Sequence, residues 1–185
     1  ADADPVALIL AYNAARLDFY VRLRTFPTFG RGWTRRIAAN LRFAAQAFKD
    51  ADLRLLVEPI NSFDIPGFYL NHTAQALSLL DEVGADNVYL QYDIYHAQRM
   101  EGELAATMAQ HLPRIGHMQL ADNPGRHEPG TGEINFAFLF EHLDRLGYKG
   151  WIGCEYKPKT TTTAGLGWVN PYLQPTVSAS GLPKP

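Results

Sequence analysis

Four oxygen-bearing side chains, Glu58, Asp93, Gln119 and Glu155, each stand at or near the end of a short apolar run: LRLLVEPIN, VYLQYDIYH, RIGHMQLADN and GWIGCEYKP. Such runs, bounded by turn residues, read as buried parallel strands. Successive runs are separated by roughly the length of a strand–helix unit, about 30 residues. In α/β proteins the chemistry collects at the carboxyl ends of strands, so the four tips are expected on one barrel rim. Three carboxylates and one neutral amide suit a hard divalent cation, Mg2+ or Mn2+, and suit zinc less well. Any one of them alone would more readily cap a strand or pair with an arginine. All four together favour a shared cation, which offsets the cost of holding three carboxylates away from water.

Glu58 and Glu155 lie on runs far apart in order, and strands so placed can face each other across a barrel. Two carboxylates flanking a substrate can act as base and acid on adjacent carbons. A cation on two neighbouring substrate oxygens would stabilise the enediolate between those steps. That equipment moves a carbonyl by one carbon, and either glutamate can take the first proton. His96, three positions past Asp93, is expected to donate from a neutral imidazole to a substrate oxygen; the alternative is a surface histidine at a helix start. An anionic substrate needs a cation, and Arg126 comes first, Lys157 second, against the alternative of solvated loop charges. His117 shares a strand face with Gln119 and reads as a supporting or a core residue. Asp122 and Asn123 read as turn formers, and Cys154 as a small buried residue. Trp151, Tyr156 and Trp168 read as cavity wall or core.

The elements that must position these groups alternate between strand and helix. TRRIAANLRFAAQAFKD has helical apolar spacing with Thr34 as its expected N-cap. HTAQALSLLDEVG is a second helix, with Gly84 placed to end it. A loop after Asp93 leads to a helix near Glu103–Leu112, stopped by Pro113, and FAFLFEHLDRLG is a helix ending at Gly147. Longer connections follow the strands and shorter ones precede them, and no hairpin turn joins two strands. Both features predict a parallel sheet with its site on the carboxyl face. The expected organisation is a poorly readable segment 1–32, a barrel portion 33–169 and a Pro- and Ser-rich tail 170–185.

The chain has 185 residues, of which 46% are hydrophobic and 19% charged, a globular composition with room for one core. A complete (β/α)8 TIM barrel takes about 250 residues, and the chain opens on Ala1 rather than Met. The expectation is therefore an α/β partial barrel of the TIM type, lacking the first strands. The net charge of −2 with scattered Lys and Arg offers no basic stripe for nucleic acid. One cysteine excludes an internal disulfide and fits a reducing compartment. No apolar run has transmembrane length, and no signal pattern opens the chain. The cytoplasm is expected, with neither nucleic acid nor membrane as partner.

The segments LLVEPINSFDIPGF, QYDIYHAQRMEGEL, IGHMQLADNPGRHEPGTGEIN and GWIGCEYKPKTTTTAGLGW resemble the hydroxypyruvate isomerase family of the xylose-isomerase-like TIM-barrel superfamily. The resemblance runs from about Trp33 to Val169. It implies interconversion of hydroxypyruvate and 2-hydroxy-3-oxopropanoate, a step of glyoxylate metabolism. It also implies Glu58 and Glu155 as the catalytic pair, and Glu58, Asp93, Gln119 and Glu155 as ligands of Mg2+ or Mn2+. Related ketose 3-epimerases have histidine where Gln119 stands, and their substrate-contacting histidine matches His96. The implied partner is a small anionic hydroxy or oxo acid, with homo-oligomerisation left open. Three alternatives are an isomerase or epimerase of another small sugar acid or ketose such as 2-oxo-tetronate, a divalent-metal endonuclease, and a truncated, non-catalytic barrel fragment.

Overall fold

The computed structural model describes residues 31–173. Four parallel strands lie in one sheet in the order β1-β2-β3-β4. They are β1 (Leu55–Val57), β2 (Val88–Asp93), β3 (Ile115–Leu120) and β4 (Ile152–Cys154). The chain divides into two compact units, with the boundary between Leu90 and Gln91, inside β2.

In the first unit, α1 (Arg31–Asp50) packs on α2 (Thr73–Val83) and on β1. The α1 sequence buries Ile37, Ala38 and Ala45 and turns Arg35, Arg36, Arg42, Lys49 and Asp50 outward, the one-stripe pattern of a helix on a sheet. Its C-terminal half is tied down by polar contacts. Arg42 Nε donates to the Val83 carbonyl at 3.1 Å, Lys49 pairs with Asp86 at 2.7 Å, and Asn87 Nδ2 donates to the Ala45 carbonyl at 2.8 Å. The α2 helix buries Ala76, Leu79, Leu80 and Val83, each leucine contributing about 1.5–3 kcal/mol of hydrophobic stabilisation. Gly84, at φ +67°, then lets the chain turn back, its N–H on the Leu80 carbonyl. The register pairs Leu55 with Val88 and Val57 with Leu90.

The second unit holds the end of β2 with α3 (Ile94–Met100), α4 (Leu104–His111), β3, α5 (Phe136–Leu146) and β4. A 3-10 turn at Leu112–Arg114 carries Pro113 into β3. Met118, Leu120, Ile134, Leu139 and Leu143 form the buried apolar side. Asn135 caps α5 through its side chain on Phe138 N–H, and Gly147 at φ +76° ends it. β3 and β4 pair with Gln119 opposite Gly153 and Leu120 opposite Cys154. Beyond β4 come α6 (Thr162–Gly165), a 3-10 turn at Leu166–Val169, and α7 (Asn170–Leu173). Trp168 and Tyr172 pack on Phe140 of α5, with ring centroids 6.3 and 4.9 Å away. Among the described residues, no helix is long and apolar enough to cross a membrane.

The structure departs from the sequence expectations at several points. α1 starts at Arg31, ahead of Thr34, whose hydroxyl bonds Tyr69 at 2.6 Å instead of capping the helix. The segment after Asp93 is helical at once, because the Asp93 side chain itself caps α3. Asn170–Leu173 is helical, although Pro and Ser enrichment predicts a tail there. Cys154 is exposed and Trp151 is 86% exposed, because β4 is an edge strand among the described residues. Tyr156 and Trp168 bond each other at 3.2 Å, in the aromatic group on α5.

Candidate active site

The sheet delivers the four predicted groups at three strand ends and within one strand. Glu58 follows β1 directly in the first unit and is half-buried. The turn behind it is held by Asn61, fully buried, whose side-chain oxygen accepts from Phe63 and Asp64 N–H at 3.1 and 2.8 Å. A neutral amide here satisfies two backbone donors without burying a charge.

In the second unit Asp93 closes β2 and is 2% exposed. Its Oδ1 accepts from Tyr95 N–H at 2.8 Å and His96 N–H at 3.3 Å, the geometry of a helix N-cap. Its Oδ2 is enclosed with no hydrogen-bond partner, and the buried His96 Nε2 lies 3.9 Å away. Burial pushes the Asp93 carboxyl up to about 6; the nearby Glu155 charge adds to this, while the backbone donors and Arg126 oppose it. A buried carboxylate with one oxygen unsatisfied is the group that a cation would stabilise. The oxygen donors of this unit, two carboxylates and one amide, suit a hard divalent cation.

Gln119 lies within β3, half-buried on the same face as His117. Its Oε1 accepts from Gln91 Nε2 at 2.5 Å. Gln91 was not among the predicted site residues, yet alternation along VYLQYD places it on the face of Asp93. His117 is half-buried, and partial desolvation lowers its pKa, favouring the neutral ring.

Glu155 follows β4, and its N–H donates to the Leu120 carbonyl at 3.0 Å. The side chain is 45% exposed and pairs with Arg126 at 3.3 Å. Arg126 sits at φ +55°, a conformation uncommon for a non-glycine residue. It is fixed there because its N–H reaches the Asp122 carbonyl and its own carbonyl accepts from Lys157 N–H, both at 2.8 Å. Its guanidinium lies 5.2 Å from the Tyr95 ring centre. Lys157 is exposed, and its backbone ties the loop, with His127 Nδ1 on its carbonyl at 2.7 Å.

Two buried carboxylates organise the loop that carries Arg126. Asp122 accepts from the N–H groups of Asn123, Gly130, Gly132 and Ile134, at 2.8 to 3.1 Å. Both Glu128 oxygens accept from Lys159 N–H, at 3.0 and 3.1 Å, joining the loop after β3 to that after β4. Asp122 is thus a turn former, as its position in the sequence indicates, with four backbone donors on its carboxylate. The role of Glu128 was not legible, because the bond that defines it reaches 31 residues along the chain.

Residues 19–172 match the family described as xylose isomerase-like TIM barrel. The chain belongs to this family. Its curated relatives include the hydroxypyruvate isomerase of Escherichia coli (strain K12), 60% identical over 136 residues, which are 74% of this chain and 53% of that protein. The 2-oxo-tetronate isomerase of Cupriavidus necator is 49% identical over 72% of this chain and 52% of its own length. Among solved structures, an AP endonuclease, family 2, from Brucella melitensis superposes with a TM-score of 0.73 at 40% identity, covering 75% of this chain and 54% of that one. The chain spans about half the length of the curated relatives it matches. An α/β partial barrel with four parallel strands agrees with the sequence expectation.

Proposed function

We propose that the protein interconverts hydroxypyruvate and 2-hydroxy-3-oxopropanoate, as an isomerase acting on a small sugar acid. The observation that carries this reading is the buried Asp93 carboxylate, with one oxygen unsatisfied and with His96 and the Glu155 charge close by. The reaction class is supported by the relative named hydroxypyruvate isomerase. Glu58, Asp93, Gln119 and Glu155 would hold Mg2+ or Mn2+. When bound, the ion would supply neutralisation of the negative charge that develops on the substrate.

The chain's own residues do the rest. One of Glu58 and Glu155 removes a proton from C3 of hydroxypyruvate, leaving an enediolate, and the other returns a proton at C2. The hydroxyl proton of C3 ends on the C2 oxygen, so atoms balance without a redox partner. His96 donates a hydrogen bond to a substrate oxygen, and Arg126 receives the substrate carboxylate, with Lys157 as the second cation. A cytoplasmic setting belongs to the same reading. The 2-oxo-tetronate isomerase at 49% identity supports a second reading, in which the substrate has four carbons.

The test is turnover of hydroxypyruvate by the protein with Mg2+ or Mn2+, beside Glu58→Gln and Glu155→Gln. Each substitution should lower the rate at least about 100-fold, as removal of a positioned acid or base does. Unchanged rates in both variants would remove the pair from the mechanism. A large preference for 2-oxo-tetronate would move the substrate to the second reading.

A further inference from the structure

We infer that Tyr95 is a positioning residue whose ring holds the Arg126 guanidinium ready for the substrate carboxylate. The inference rests on the reading of Arg126 as the carboxylate-binding cation. Tyr95 is 2% exposed and is the second residue of α3. Its N–H is bonded to Asp93 Oδ1 at 2.8 Å, which fixes it relative to the proposed metal ligand. Three charged or titratable groups surround its ring. The Arg126 guanidinium carbon lies 5.2 Å from the ring centre, that of Arg99 5.6 Å, and the His96 ring 5.4 Å at a tilt of 57°.

Two guanidiniums beside one buried ring are a costly arrangement unless the ring's negative face attracts them. Both belong to the same corner of the unit. Arg99 Nη1 approaches Asn123 Oδ1 and the Pro124 carbonyl, each at 3.4 Å, three and two residues before Arg126 in sequence. The Arg126 backbone is held on both sides, by Asp122 and by Lys157, so what remains to be oriented is the side chain. A free arginine side chain loses much rotamer entropy on binding, and a planar guanidinium resting on a ring loses less. Glu155, 3.3 Å from Arg126 Nη2, competes for the same guanidinium. The ring counters that competition by fixing the plane of the cation. Tyr95 thereby links the cation end of the site, through Asp93, to the anion end, through Arg126.

The test replaces Tyr95 with phenylalanine carrying zero, one, two and three ring fluorines. Fluorination drains negative charge from the ring face while keeping nearly the same volume. Tyr95→Phe, which keeps the ring, sets the reference KM for hydroxypyruvate. KM should then rise with each fluorine, to about tenfold at the end of the series, with kcat held. Tyr95→Leu should match the end of the series. In an Arg126→Ala background, the series should be flat. A flat series with Arg126 present, or an equal slope without it, would overturn the inference and leave the Arg126 reading standing. No rise in KM for Arg126→Ala alone, or no binding of hydroxypyruvate by the unsubstituted protein, would overturn that reading and this inference together.

Discussion

The ends of β2 and β4 each present a carboxylate, and they hold it in opposite ways. Asp93 caps the helix that begins one residue later, and its position needs little beyond the sequence DIYH. Glu155 stands half-exposed after a three-residue strand, at the edge of the sheet among the described residues, and its surroundings are set from a distance. Arg126, His127 and Glu128 are laced to residues 157–159 by hydrogen bonds that involve both backbones. One carboxylate is positioned locally and buried; the other depends on the order of a long loop. Damage to that loop should therefore disturb Glu155 and Arg126 while leaving Asp93 in place.

Gly132→Ala should break the loop most severely. A methyl group there would lie 2.0 Å from the Asn123 carbonyl oxygen and 2.7 Å from Asp122 Oδ1, so the backbone itself must move. The expected loss is about 3 kcal/mol, the upper range for overpacking. In hydrogen exchange, amides of residues 122–134 and 155–159 should lose protection and those of α3 should keep it. Equal loss in α3 would end the contrast between local and remote positioning.

Asp93→Asn sharpens the other side. The amide keeps an oxygen for Tyr95 and His96 N–H but removes a charge that the fold disfavours. Because the folded carboxyl titrates near 6 rather than 3.8, stability falls as pH rises between those values and stays reduced above them. With chelator at pH 7, the variant should gain about 1 kcal/mol in urea unfolding, and the gain should vanish below pH about 3.8. A loss across that range would show that the carboxylate is already satisfied.

Glu128→Gln should give a smaller loss, with the opposite pH dependence. Hydrogen bonds from its own backbone N–H and from Lys159 hold the Glu128 carboxyl below 4.5, against its partial desolvation. Its contribution is complete above 4.5 and is lost as pH falls through the lowered value. The stability gap between wild type and variant should close in acid, and a constant gap would assign the loss to packing. Glu155→Ala should change stability least, within about 0.5 kcal/mol, as for most surface substitutions.

The same contrast explains what could be read from the sequence. Val88–Asp93 was legible to the residue, because an apolar run meets a capping side chain. Gly84 and Gly147 mark helix ends, because a left-handed residue there needs no side chain. The immediate start of α3 is harder to see, because one aspartate serves both as a strand-end carboxylate and as a helix cap. Cys154 was misplaced because the cover of an edge strand is a tertiary fact that an apolar sequence does not carry. Gln91 is placed on the face of Asp93 by strand alternation, but its bond to Gln119 crosses between strands and leaves no sequence signal. The lacing of 126–128 to 157–159 leaves no periodic signal at all, since loop-to-loop bonds follow no repeat.

The proposed function requires a divalent cation held by the oxygens of Asp93, Gln119 and Glu155. Calorimetric titration of Mn2+ into chelator-treated protein tests it directly, beside Asp93→Asn, Gln119→Ala and Glu155→Gln. Saturable binding of one ion per chain is expected, weakened at least about tenfold in each variant. Absence of saturable binding, or equal affinity in all four proteins, would contradict it.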